Sequence, residues 1–124
     1  MEKLKVLIGA QILKINEDSI TVKLNNNTYT LTLDTYDGDC CGYANFELNM
    51  LYSENDERNP IVTNIEYENR DYHDGDAFVI TFYGENKEFA TIEGIASSGS
   101  GWMYGANVSI RCAELGIEDV LAIY

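Results

Sequence analysis

The sequence predicts a mostly β fold: a bent antiparallel sheet, sandwich or partly open barrel, or an α+β variant with one or two short helices. Three features point there. Apolar and polar residues alternate with period two in segment after segment. Turn-forming residues stand at the junctions. One run, Ala77 to Tyr83, is apolar on both faces, as a central strand must be.

The elements follow in order. Met1 to Ala10 reads as a first strand and not a secretory signal, because no small-residue cleavage pattern follows Val6 to Ala10. One or two strands are expected around Gly9. Ile20, Val22 and Leu24 alternate with Ser19, Thr21 and Lys23, then Asn25-Asn26-Asn27 supplies a turn. Tyr29, Leu31 and Leu33 alternate with Thr28, Thr30 and Thr32, which completes a hairpin with one apolar face and one threonine face. Ala44 to Tyr52 is a candidate helix. Pro60 opens a strand over Ile61, Thr63, Ile65 and Tyr67, where its missing N–H does least harm. Gly84-Glu85-Asn86-Lys87 turns Ala77–Tyr83 back into Glu88 to Ile95. Ala106, Val108, Ile110 and Cys112 form a last alternating strand, and the tail Ala113 to Tyr124 is a second candidate helix.

The 124 residues are read as a single domain, 1–124, with 45% hydrophobic and 23% charged residues, a globular composition. No run approaches the roughly 18 apolar residues of a membrane span, so a soluble, cytoplasmic protein is expected.

Charge narrows the function. Twenty-one acids face eight Lys and Arg, a net charge of −13. Such a surface repels nucleic acid and anionic membranes and attracts a basic protein. The alternative is acidity that only maintains solubility. The densest zone holds Glu54, Asp56, Glu57, Glu66, Glu68, Asp71, Asp74 and Asp76 against Arg58 and Arg70, and is the expected partner-binding surface.

The cysteines offer a second chemistry. Cys40, Cys41 and Cys112 with the single histidine, His73, make a full zinc inventory of three sulfurs and one nitrogen, which would form a closed, structural site. Nothing reads as C-x-x-C, and Cys112 falls on the apolar face of its strand, so buried or free thiols are the competing reading. Tyr36-Asp37-Gly38-Asp39 and His73-Asp74-Gly75-Asp76 read as tight turns; neither completes a calcium loop. Catalysis is poorly served. One histidine supports no triad, and Ser97-Ser98-Gly99-Ser100-Gly101 lacks the Gly-Lys-Ser/Thr ending of a phosphate loop. No enzyme is expected.

Two segments resemble a family of small phage proteins. Leu7-Ile8-Gly9 leads to Asp39-Cys40-Cys41 with the aromatics Tyr43 and Phe46 close behind, and Gly99-Ser100-Gly101-Trp102-Met103-Tyr104-Gly105 is similar to that family's late glycine- and aromatic-rich turn. Gly42-Tyr43 departs from the Ser-Glu-Ser-Trp that many relatives show. In size, charge and phage-like character the chain also resembles type II-A anti-CRISPR proteins. That resemblance implies a stoichiometric, non-enzymatic inhibitor of a Cas9-type nuclease, acting as a DNA mimic on its positively charged channel. Metal stabilisation is known in the class. The rival readings are a small ligand- or nucleotide-binding module using Ser97 to Gly105, and a phage accessory or structural protein.

Overall fold

The computed structural model describes residues 2–37, 43–50, 61–72, 75–84, 87–97 and 106–123. Among these residues the chain forms nine strands and two short 3-10 segments, arranged as two antiparallel sheets packed face to face. The strands are β1 (Gln11–Ile15), β2 (Ser19–Leu24), β3 (Asn27–Asp37), β4 (Tyr43–Met50), β5 (Asn64–Tyr72), β6 (Gly75–Gly84), β7 (Lys87–Ser97), β8 (Ala106–Cys112) and β9 (Ile117–Ile123). The first sheet runs β1-β2-β3-β8-β9 and the second β4-β7-β6-β5. The sandwich expected from the alternation is present.

The period-two segments behave as their pattern requires. Ile20, Val22, Leu31 and Leu33 are buried from the first sheet, and Phe78, Ile80, Phe82 and Ile92 from the second. The β2–β3 turn reduces to Asn25 and Asn26, with φ of 51° and 67°, the left-handed pair that a two-residue hairpin demands and asparagine tolerates. Tyr72 and Gly75 are cross-strand partners at the ends of β5 and β6; of the second Asp-Gly tetrad, His73 and Asp74 lie outside the described residues. In the first tetrad, Tyr36 and Asp37 close β3, and Gly38 and Asp39 lie outside the described residues.

Four expectations need correction. Residues Glu2–Leu7 form a 3-10 helix, not a strand. Leu4, Leu7 and Ala10 are fully buried at a spacing of three, which matches three residues per turn. The candidate helix at Ala44 to Tyr52 is strand β4 over Tyr43–Met50. Ala44, Phe46 and Leu48 pack on the core while Asn45 and Glu47 are exposed, an alternation that pairing with β7 enforces. The tail is a 3-10 turn at Ala113–Leu115 followed by β9. Gly116, at φ 70°, stops the turn and redirects the chain. Finally, β5 begins at Asn64: Ile61 is exposed, Val62 is buried, and the alternation shifts by one residue before the strand starts.

One strand glycine is dictated by packing. A Cβ at Gly94 would meet the Phe78 ring at 2.5 Å and the Asn45 carbonyl oxygen at 2.8 Å. Gly94 and Phe78 are cross-strand partners, so the ring lies over bare backbone.

The sheets are also tied by polar contacts. Tyr67 Oη donates to the Leu121 carbonyl at 2.8 Å, and the Ile123 amide donates to Asp76 Oδ2 at 3.0 Å. Lys3 Nζ donates to the Glu118 carbonyl at 3.3 Å. All three contacts fall on β9, the outermost strand of the first sheet.

Candidate functional site

Strand alternation in the second sheet sorts its residues onto two faces. The inner face carries Phe78, Ile80, Phe82, Ile92 and Ala96. The outer face carries the acids. Register places Glu47, Glu93, Val79 and Glu68 in one row across β4, β7, β6 and β5. The next row is Asn49, Thr91, Thr81 and Glu66. Glu88 stands beside Tyr83 in the row after that. Five carboxylates, Glu47, Glu66, Glu68, Glu88 and Glu93, are therefore exposed on one sheet face.

Compensation is sparse. Arg70 pairs with Glu68 at 3.1 Å. The hydrogen bond between them, and then their opposite charges, hold the Glu68 carboxyl below its ordinary value and the Arg70 guanidinium above its own; Glu93 adds to the upward push on Arg70. Glu66 accepts a 2.8 Å hydrogen bond from Tyr83 Oη, which raises the phenol to about 12. Among the described residues, Glu47, Glu66, Glu88 and Glu93 make no salt bridge. Glu47 and Glu93 face one another directly, an arrangement that opposes folding by up to about 1 kcal/mol.

A shallow hollow crosses this face. Val79, Thr81 and Thr91 contribute to its floor, and Glu66, Glu68, Glu88 and Glu93 stand around it with two cations, Lys5 and Arg70. Such a surface suits a lysine or arginine side chain: the methylene stem lies on the β-branched floor and the cationic head reaches a carboxylate.

The expected site residues divide accordingly. Glu66 and Glu68 lie on the acidic face. Asp76 does not: it shares the inner parity of Phe78, is half-buried, and holds both Asn69 Nδ2 and the Ile123 amide. Its role is to fasten β9. Asp71 is the β5 partner of Asp76 in register. Glu54, Asp56, Glu57 and Asp74 lie outside the described residues, as do Cys40, Cys41 and His73.

Of the zinc set, only Cys112 is described. It is 3% exposed and its Sγ lies 3.2 Å from Glu114 Oε2. Burial, then the hydrogen bond to Glu114, pushes the thiol upward. No group of three or more His, Cys, Asp or Glu gathers to hold a metal ion among the described residues. No described helix is long and apolar enough to cross a membrane.

Glu47, Glu88 and Glu93 were not singled out by the acidic zone, because that zone is contiguous in sequence and the face is not. Their signal is local alternation: Glu93 follows buried Ile92, and Glu47 lies between Phe46 and Leu48.

Comparison with known protein families, curated proteins and solved structures gave no match.

Proposed function

We propose that this chain is a non-enzymatic binding protein that presents the outer face of its second sheet to a basic surface of a nucleic-acid-handling protein. A guide-loaded nuclease of the Cas9 type is the partner proposed first. The observation that supports this reading is the Glu47–Glu93 pair. Two like charges stand opposite on an exposed sheet face, and no described cation bridges them. A cationic partner turns that repulsion into attraction.

The expected mechanism is occupation. Nucleic-acid channels carry fixed Lys and Arg, and a −13 domain is steered to them faster than a neutral one. Once seated, its carboxylates replace phosphate as counter-charge, and DNA is excluded for as long as the complex lasts. No turnover is needed.

The test is inhibition of target-DNA binding by guide-loaded nuclease in a titration with this protein. The proposal predicts a sharp endpoint near equal stoichiometry. Full DNA binding with the protein in excess, across nuclease orthologues, would refute it.

A further inference from the structure

Each sheet ends in strands whose outer N–H and C=O groups lack a ladder partner, and proteins protect these edges with bulges, proline, short length or charge. The first sheet's edges are dealt with structurally. Both β1 and β9 carry a register shift; Gln11 of β1 bridges to Ile61, and β9 receives the Tyr67, Asp76 and Lys3 contacts. In the second sheet, β5 is different. Among the described residues it is the longest edge strand, nine residues, and pairs with β6 without a break from Asn64↔Tyr83 to Tyr72↔Gly75. It contains no proline, and no described strand pairs with its other side. Its outer face alternates Glu66, Glu68 and Arg70, and Lys5 of the N-terminal 3-10 helix lines the hollow beside them. The opposite edge, β4, presents Asn45, Glu47 and Asn49 there, a single charge.

We propose that β5 is a docking edge, to which an extended segment of the partner adds as a fifth strand with Lys or Arg at alternate positions. Backbone pairing would supply affinity and the alternate side chains would supply selection. Cations at two successive alternate positions on an added strand fall opposite Glu66 and Glu68, within the roughly 5 Å of a cross-strand pair, with a neutral residue facing Arg70. A second copy is the poorer occupant, since it brings −13 against −13. This inference rests on the acidic-face reading and adds the manner of engagement.

The test uses the whole protein and two synthetic peptides of about ten residues, one alternating Lys and Val, the other alternating Lys and Pro with the same charge. The second pairs poorly as a strand, because proline fixes φ near the polyproline II value and removes every other N–H donor. Amide hydrogen exchange by NMR is the readout. Bound Lys-Val peptide is expected to slow exchange in β5 by about tenfold or more and to bind about tenfold more tightly than Lys-Pro peptide. Glu66→Lys with Glu68→Lys should abolish both effects while the circular dichroism stays β. Equal binding of the two peptides, with no change in β5 exchange, overturns the docking edge but leaves the acidic face standing. Binding of neither peptide overturns both. Protection of β5 that rises with protein concentration alone assigns the edge to self-association and overturns the proposal.

Discussion

Glu47 on β4 and Glu93 on β7 are direct cross-strand partners on an exposed sheet face, and neither has a described salt-bridge partner. A fold selected for stability alone gains by removing one of these charges. On the proposed function, the pair is a charge held for an external cation.

Removing the repulsion should therefore stabilise the free protein. Glu47→Gln or Glu93→Gln is expected to raise unfolding free energy by a few tenths to about 1 kcal/mol. Urea unfolding, read by fluorescence, measures this. A loss of stability would mean that the two carboxylates are locally engaged.

Asp76 should behave in the opposite way. Its carboxylate accepts the Ile123 amide and an Asn69 side-chain amide, so Asp76→Ala removes the side-chain acceptor of Ile123, while Asn69 Nδ2 keeps the Ala77 carbonyl. The expected cost is about 0.5–1.5 kcal/mol, with faster hydrogen exchange at Ile123 and little change in association rate. Unchanged exchange at Ile123 would show that β9 is fastened by other contacts.

Packing makes a sharper demand at Gly94. Gly94→Ala drives a methyl group into the Phe78 ring and the Asn45 carbonyl oxygen, and should destabilise by about 1–3 kcal/mol. Phe78→Ala removes the ring and should cost about 3–5 kcal/mol. The double variant should cost less than the sum, because the clash disappears with the ring. Strict additivity would contradict the packing described.

The hydrogen bond from Tyr83 to Glu66 predicts a titration. The phenol's value is raised to about 12, first by that bond and then by burial and neighbouring acids. The folded value exceeds the unfolded one of about 10. The contribution of neutral Tyr83 to stability is thus present below about pH 10 and is lost as pH rises through about 12. Difference absorbance at the phenolate band should show one late-ionising tyrosine that vanishes in Tyr83→Phe and moves back toward 10 in Glu66→Gln. Persistence of the late transition in Tyr83→Phe would assign it elsewhere.

Cys112 should react slowly with thiol reagents while the protein is folded, since the thiol is buried and held protonated beside Glu114. A chelator should not change that rate. Faster reaction on chelation, with zinc found by elemental analysis, would place Cys112 in the metal site that its pairing with Cys40, Cys41 and His73 suggested.

Most of the fold was legible because alternation is a local property. Ile20, Val22, Leu31 and Leu33 declare their faces with no knowledge of the other sheet. The failures share a cause. Ala44–Tyr52 and Ala113–Tyr124 mix apolar and acidic residues in ways that also satisfy a helix over one or two turns, and pairing with β7 and β8 decides for strand. The N-terminal segment was misread because Leu4, Leu7 and Ala10 keep a period of three that a strand reading ignores. The acidic face was half legible. Glu66 and Glu68 lie together in sequence, but Glu47, Glu88 and Glu93 join them only through sheet order, which no single segment encodes.

The decisive measurement is the association rate of this protein with a guide-loaded Cas9-type nuclease, compared between the native chain and a Glu47→Gln, Glu88→Gln, Glu93→Gln triple variant. Stopped-flow traces at about 50 and 200 mM salt span the range over which exposed charges become screened. The acidic-face reading predicts about a tenfold or greater fall for the variant at low salt, and a difference that shrinks at high salt. Equal rates for the two proteins at low salt, or no complex with either, would contradict it.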